Sequence, residues 1–104
     1  MLDSPFAIHH SGVIGDVFRL LRDVAAQDCK FYLFGSFARG EDRPSSDVDV
    51  AIDAGEPLPL IQMAKIRARL EDSNIPFTVE VVDLNRVSSP LREQIEKEAI
   101  PWID

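Results

Sequence analysis

The stretch Gly35-Ser36-Phe37-Ala38-Arg39-Gly40, followed closely by Ser46-Asp47-Val48-Asp49-Val50-Ala51-Ile52-Asp53, joins a glycine-serine turn to a set of alternating aspartates. An apolar, aromatic run, Phe31-Tyr32-Leu33-Phe34, leads into the turn and reads as a buried strand that ends at Gly35. Residues 37–40 can form one or two helical turns whose N-terminus faces the end of that strand, and residues 41–46 follow as a polar loop. From residue 47 to 53 the pattern has a period of two. It puts Asp47, Asp49, Ala51 and Asp53 on one face of a strand and Val48, Val50 and Ile52 on the other. The valine face is expected to pack inward.

This arrangement describes a site for phosphate and metal. A glycine lets a backbone come close to a ligand, and the first amides of the helical turn after it have no intrahelical acceptor, so they attract an anion. The Ser36 hydroxyl can donate to a phosphate oxygen, and Arg39, one turn on, can add a charged fork. Gly35, Ser36 and Arg39 are therefore the candidate nucleotide-binding residues. Asp47 and Asp49 project from the same strand face, where two carboxylates repel unless a cation holds them. Mg²⁺ suits that role, because it takes one or two carboxylates together with waters and substrate phosphates. Two such ions about 4 Å apart would activate an attacking oxygen and stabilise a departing pyrophosphate. A third carboxylate is expected from the run Phe77-Thr78-Val79-Glu80-Val81-Val82-Asp83-Leu84, the strongest β-forming segment of the chain. Glu80 is favoured, since turning it to the site face sends Val79 and Val81 into the core; Asp83 is the alternative, with a strand-end or capping role if it is not used.

Outward from this centre, Val13, Ile14, Val17, Leu20, Leu21, Val24 and Ala25 recur at helical spacing and predict a first amphipathic helix with Ser11 as its cap. His9 and His10 precede it and have no third ligand at a spacing that would suggest a metal. Leu60, Ile61, Met63, Ala64, Ala68 and Leu70 predict a second helix ending near Ser73-Asn74, with Met63 as core filler. Residues 90–99 read as a short helix with Leu91, Ile95 and Ala99 on one stripe, and Trp102 and Ile103 as an apolar patch that either anchors an interface or covers the edge of the core. Cys29 stands alone and reads as a buried structural thiol.

The length of 104 residues fits one domain spanning 1–104, with no room for a separate acceptor-binding module. No apolar stretch approaches the roughly 18 residues of a membrane span, and no leader-like segment opens the chain, so a soluble, cytoplasmic protein is expected. The net charge of −7 argues against nucleic acid as a direct partner and favours a basic protein, with part of the charge cancelled by cations at the site.

Taken together, Gly35-Ser36-x-Ala38-Arg39-Gly40 and Ser46-Asp47-x-Asp49 at this spacing resemble the signature of the nucleotidyltransferases related to DNA polymerase β, in particular the minimal nucleotidyltransferase domain of small prokaryotic proteins. The resemblance implies an α/β (α+β) palm with a small mixed sheet of about three strands packed with helices. It also implies transfer of a nucleoside monophosphate from a triphosphate such as ATP to a hydroxyl, with Mg²⁺ as cofactor. By position, Gly35 and Ser36 would hold the triphosphate and Asp47 and Asp49 the metal, while Glu80 would stand where many members have an aspartate. Single-domain members resemble antitoxins that pair with a helical HEPN toxin and neutralise it, in some cases by adenylylating a tyrosine on it. Two other roles fit the same signature: a binding module that neutralises its partner by contact alone, and the catalytic subunit of a small-molecule nucleotidyltransferase of the aminoglycoside type.

Overall fold

The computed structural model describes residues 5–25, 28–40 and 47–102, which form a four-stranded mixed sheet with helices on both faces. In chain order the elements are α1 (Pro5–Val24), β1 (Lys30–Phe34), α2 (Ser36–Arg39), β2 (Val48–Asp53), α3 (Leu60–Glu71), β3 (Val79–Asp83), α4 (Ser89–Glu98) and β4 (Ile100–Pro101). The strand order is β3-β2-β1-β4. β1 and β2 run antiparallel, whereas β2 and β3 are parallel, since α3 carries the chain back across the sheet between them. The fourth strand is two residues long and pairs with Tyr32 and Leu33 of β1, which adds one short strand to the expected three.

Alternation along the strands divides the side chains between two layers. Phe31 and Leu33 of β1, Val48, Val50 and Ile52 of β2 and Val81 of β3 face the main core. There they meet Ile14, Val17, Phe18 and Leu21 of α1 and Met63, Ile66 and Leu70 of α3. Cys29 is buried in the same core, and Trp102 closes its edge by stacking on Phe18 with ring centroids 4.7 Å apart. The Trp102 amide donates to the Phe31 carbonyl at 2.8 Å, so this residue covers the core; Ile103, the other half of the expected patch, lies outside the described residues. The opposite layer is small. It packs Ala51, Leu84 and Ile95 with Tyr32, Phe34 and Val82, under the single helix α4.

Three expectations are corrected. α1 begins at Pro5, so Ser11 lies inside the helix and does not cap it, and His9 and His10 belong to the helix instead of preceding it; proline is preorganised for a first helical turn, where its missing N–H costs nothing. Leu60 and Ile61 are 70% and 69% exposed, because the buried stripe of α3 is Met63, Ile66 and Leu70 and at 3.6 residues per turn Ile61 points to the back of that stripe. Leu91 is also exposed, leaving Ile95 as the buried anchor of α4. The polar loop over residues 41–46 lies outside the described residues.

Asp83 is a structural acid. It is 4% exposed and accepts the Leu58 amide at 2.7 Å and the Asn85 amide at 3.0 Å, with Arg86 at 3.6 Å, so it ties the end of β3 to the segment entering α3. Asp83→Ala strands the buried Leu58 amide, and denaturant unfolding should show a loss of about 1.5–3 kcal/mol. Asp83→Asn, which keeps an acceptor, should lose less. An unchanged unfolding midpoint for the alanine variant would contradict this role.

Candidate active site

Gly35 stands at the junction of β1 and α2 with φ +79° and ψ −156°, a backbone conformation open to glycine and strained for other residues. The absence of a side chain is required there for a second reason. A Cβ on Gly35 would lie only 2.2 Å from Asp49 Oδ2, so the turn and the carboxylate occupy adjoining space. Register explains this proximity: Phe34, the residue before Gly35, pairs directly with Asp49 across the antiparallel ladder. The short helix α2 is then pinned by Phe37, which is fully buried and meets Phe77 edge to face at 5.4 Å. At its far end Gly40, at φ +72°, donates back to the Phe37 and Ser36 carbonyls. Two glycines with positive φ thus bracket the Ser36 turn, which begins beside the strand position that carries Asp49.

The acids arrive from three elements. Asp47 immediately precedes β2 and is exposed, while Asp49, in the strand, is half-buried. Glu80 is the register partner of Asp49 on the parallel strand β3, so the two occupy neighbouring positions on one sheet face. Burial pushes the Asp49 carboxyl above its ordinary value, and the charges of Asp47, Glu80 and Glu98 push it further the same way, with Arg39 opposing them. Glu98 was not anticipated. It ends α4, and its Oε2 accepts the Gly35 amide at 2.6 Å and Arg39 Nη1 at 3.0 Å. An available signal was its place in the last helical turn, where a negative charge opposes the helix dipole and calls for a cationic or N–H partner.

Asp53 shares the strand face of Asp49 yet does different work. Its carboxylate accepts the Asn85 side-chain amide at 2.9 Å and the Gly55 amide at 2.9 Å. These bonds hold it below the ordinary carboxylate range. It stabilises the turn after β2.

The donor set suits Mg²⁺. Among the described residues no three His, Cys, Asp or Glu side chains are gathered into a ready-made cage. Mg²⁺ does not ask for one, since it is commonly held by one or two carboxylates plus waters and substrate phosphates. The mutual repulsion felt at Asp49 is the kind that a cation relieves.

Because burial and the neighbouring acids disfavour the charged form of Asp49, removing that charge should stabilise the chain. Asp49→Asn is expected to unfold at a higher temperature than the wild type at neutral pH in chelator. The gain should vanish in acid, where the wild-type carboxyl is itself protonated. A lower midpoint at neutral pH would contradict the crowding of the acids. Gly35→Ala should lose about 1–3 kcal/mol through backbone strain alone.

Residues 24–102 match the family described as polymerase beta, nucleotidyltransferase. Among curated proteins, the protein adenylyltransferase MntA of Shewanella oneidensis is 33% identical over 79 residues, which cover 76% of this chain and 56% of that protein. Among solved structures, a toxin-antitoxin complex with AMP-PNP superposes with a TM-score of 0.73 at 28% identity, covering 86% of this chain and 73% of the other. A second, the tri-AMPylated Shewanella oneidensis HEPN toxin in complex with its MNT antitoxin, gives 0.69 at 25% identity, covering 90% and 72%. The mixed sheet, the glycine turn lodged against a strand aspartate and the family match over most of the sequence agree: the chain belongs to the polymerase β nucleotidyltransferase family.

Proposed function

We propose that this chain is a cytoplasmic antitoxin that transfers AMP from ATP to a hydroxyl, a tyrosine by preference, on a HEPN-type toxin and so neutralises it. The observation that carries this reading is the contact between the two halves of the site, where the Gly35 turn leaves space that Asp49 fills. Triphosphate at the turn would then lie directly beside carboxylates. The solved relatives add that a chain of this shape occurs with AMP-PNP and with an AMPylated HEPN toxin.

In this reading Ser36 and Arg39 hold the triphosphate, and Gly35 keeps the backbone close to it. Asp47 and Asp49, with Glu80 beside them, would hold Mg²⁺, which when bound neutralises charge on the phosphates and favours attack by the acceptor oxygen. The acceptor hydroxyl forms a bond to the α-phosphorus as the bond to pyrophosphate breaks, and its proton passes to a neighbouring carboxylate or to water. The chain's contribution is alignment of the two reactants and a charge environment matched to the transfer. Asp47 and Glu80 are both exposed, which leaves a protein-sized acceptor access to the site. A second reading, neutralisation by contact alone, draws on the absence of a preformed three-carboxylate cage among the described residues.

Labelled ATP, Mg²⁺ and the cognate HEPN protein decide between them. Label should appear on the partner, and Asp49→Asn should reduce its rate by at least about 10²–10³-fold, the scale of losing one preorganised charge-stabilising group. Transfer that persists after Asp47 and Asp49 are both changed to asparagine sinks the catalytic assignment. Protection of cells by that double variant, with no transfer, supports neutralisation by contact.

A further inference from the structure

Glu98 lies outside the sequence signature, yet it touches two of the three residues that the signature assigns to nucleotide. A single oxygen, Oε2, accepts both the Gly35 amide at 2.6 Å and Arg39 Nη1 at 3.0 Å. We propose that Glu98 is a positioning residue of the nucleotide site, which braces the Gly35 turn and aims Arg39 so that α4 sets the shape of the phosphate-binding turn.

Gly35 has a positive φ that glycine reaches at little cost, so its own backbone does not single out this conformation and the surroundings must select it. A hydrogen bond to a carboxylate is among the stronger ones available to a backbone amide. The bond from Gly35 spans 63 residues and that from Arg39 spans 59, so neither is a local consequence of the turn. They come from a fixed support. Ile95, one turn before Glu98, is 1% exposed, and β4, which begins two residues after Glu98, pairs with β1 at Tyr32 and Leu33. The carboxylate is itself largely enclosed, its side chain 18% exposed against 43% for Arg39.

One consequence revises the donor set. The Gly35 amide is engaged by Glu98, so phosphate is left to the following amides, the Ser36 hydroxyl and Arg39. Glu98 then acts through Arg39 and the turn, without touching substrate. A carboxylate that merely filled the anion site until nucleotide arrived would have the opposite effect on affinity, and the experiment separates the two by sign.

The ATP-binding side of this inference rests on the nucleotide site of the proposed function. ATP affinity is measured by calorimetry with Mg²⁺ for the wild type, Glu98→Ala, Arg39→Ala and the double variant, each checked for folding by circular dichroism. Glu98→Ala should weaken binding by about tenfold or more, the scale of a lost charged hydrogen bond. The double variant should be little weaker than Arg39→Ala alone, because residues acting as one unit are not additive. Glu98→Gln keeps an acceptor for the Gly35 amide and should fall between. Tighter binding by Glu98→Ala overturns the proposal, as does a double variant whose loss is the product of the two single losses. The Gly35 amide proton, read by NMR without nucleotide, gives a test independent of ATP. It should shift in Glu98→Ala and be largely retained in Glu98→Gln. A wild type that binds no ATP sinks the transferase reading, and the brace is then judged on that resonance; a Gly35 proton unmoved by Glu98→Ala sinks the brace.

Discussion

The site depends on one steric constraint, the space between Gly35 and Asp49. The antiparallel register of β1 and β2 sets Phe34 against Asp49, so the residue that follows Phe34 must turn away without a side chain. A slip of one residue would replace the carboxylate with a valine and send Asp49 into the core. That slip is opposed by the whole inner face of β2, where Val48, Val50 and Ile52 are fully buried. The hydrophobic pattern of one face thereby fixes the chemistry of the other.

Two aspartates on that second face show how environment separates an acid surrounded by donors from one crowded by like charges. Asp53 and Asp49 lie on the same strand and point the same way. Asp53 is surrounded by donors, the Asn85 amide and the Gly55 backbone, which favour its charged form. Asp49 is partly desolvated and faces Asp47, Glu80 and Glu98, which disfavour it. A carboxylate held charged among like charges makes the fold less stable, and such an arrangement is characteristic of functional sites. Arg39, whose charge opposes that of the acids at Asp49, is also held by Glu98, so the same cation relieves Asp49 and anchors the turn.

Much of this was legible in the sequence because it is local. The period of β2, the aromatic run of β1, the two glycines and the acidic strand β3 are short-range patterns, and each formed close to where the pattern placed it. Glu80 landed beside Asp49 because parity along a strand is enough to choose a face. What escaped depends on tertiary contacts. Glu98 is an ordinary surface acid until α4 folds across the sheet and brings it to Gly35. The exposed Leu60 and Ile61 look like core residues until α3 settles on its Met63, Ile66 and Leu70 stripe. Asp83 and Glu80 both look like metal ligands until the Leu58 amide claims one of them.

The unequal covering of the sheet explains why the site lies where it does. One face is sealed by two helices, α1 and α3, and carries the main core. Among the described residues the other has only α4, whose apolar contact is a small group around Ala51, Leu84 and Ile95. Along β2 that group gives way, two residues from Ala51, to Asp49, with Glu80 beside it. Apolar packing therefore ends where the acids begin, on the same face and the same strand. The exposed Asp47 and Glu80 beside the half-buried Asp49 keep their hydration, which limits the cost of crowding like charges. In the proposed reaction, a surface this open would exclude water only once the acceptor is seated over it. A sheet with one finished face and one half-covered face thus leaves these acids at the boundary between packed and open surface.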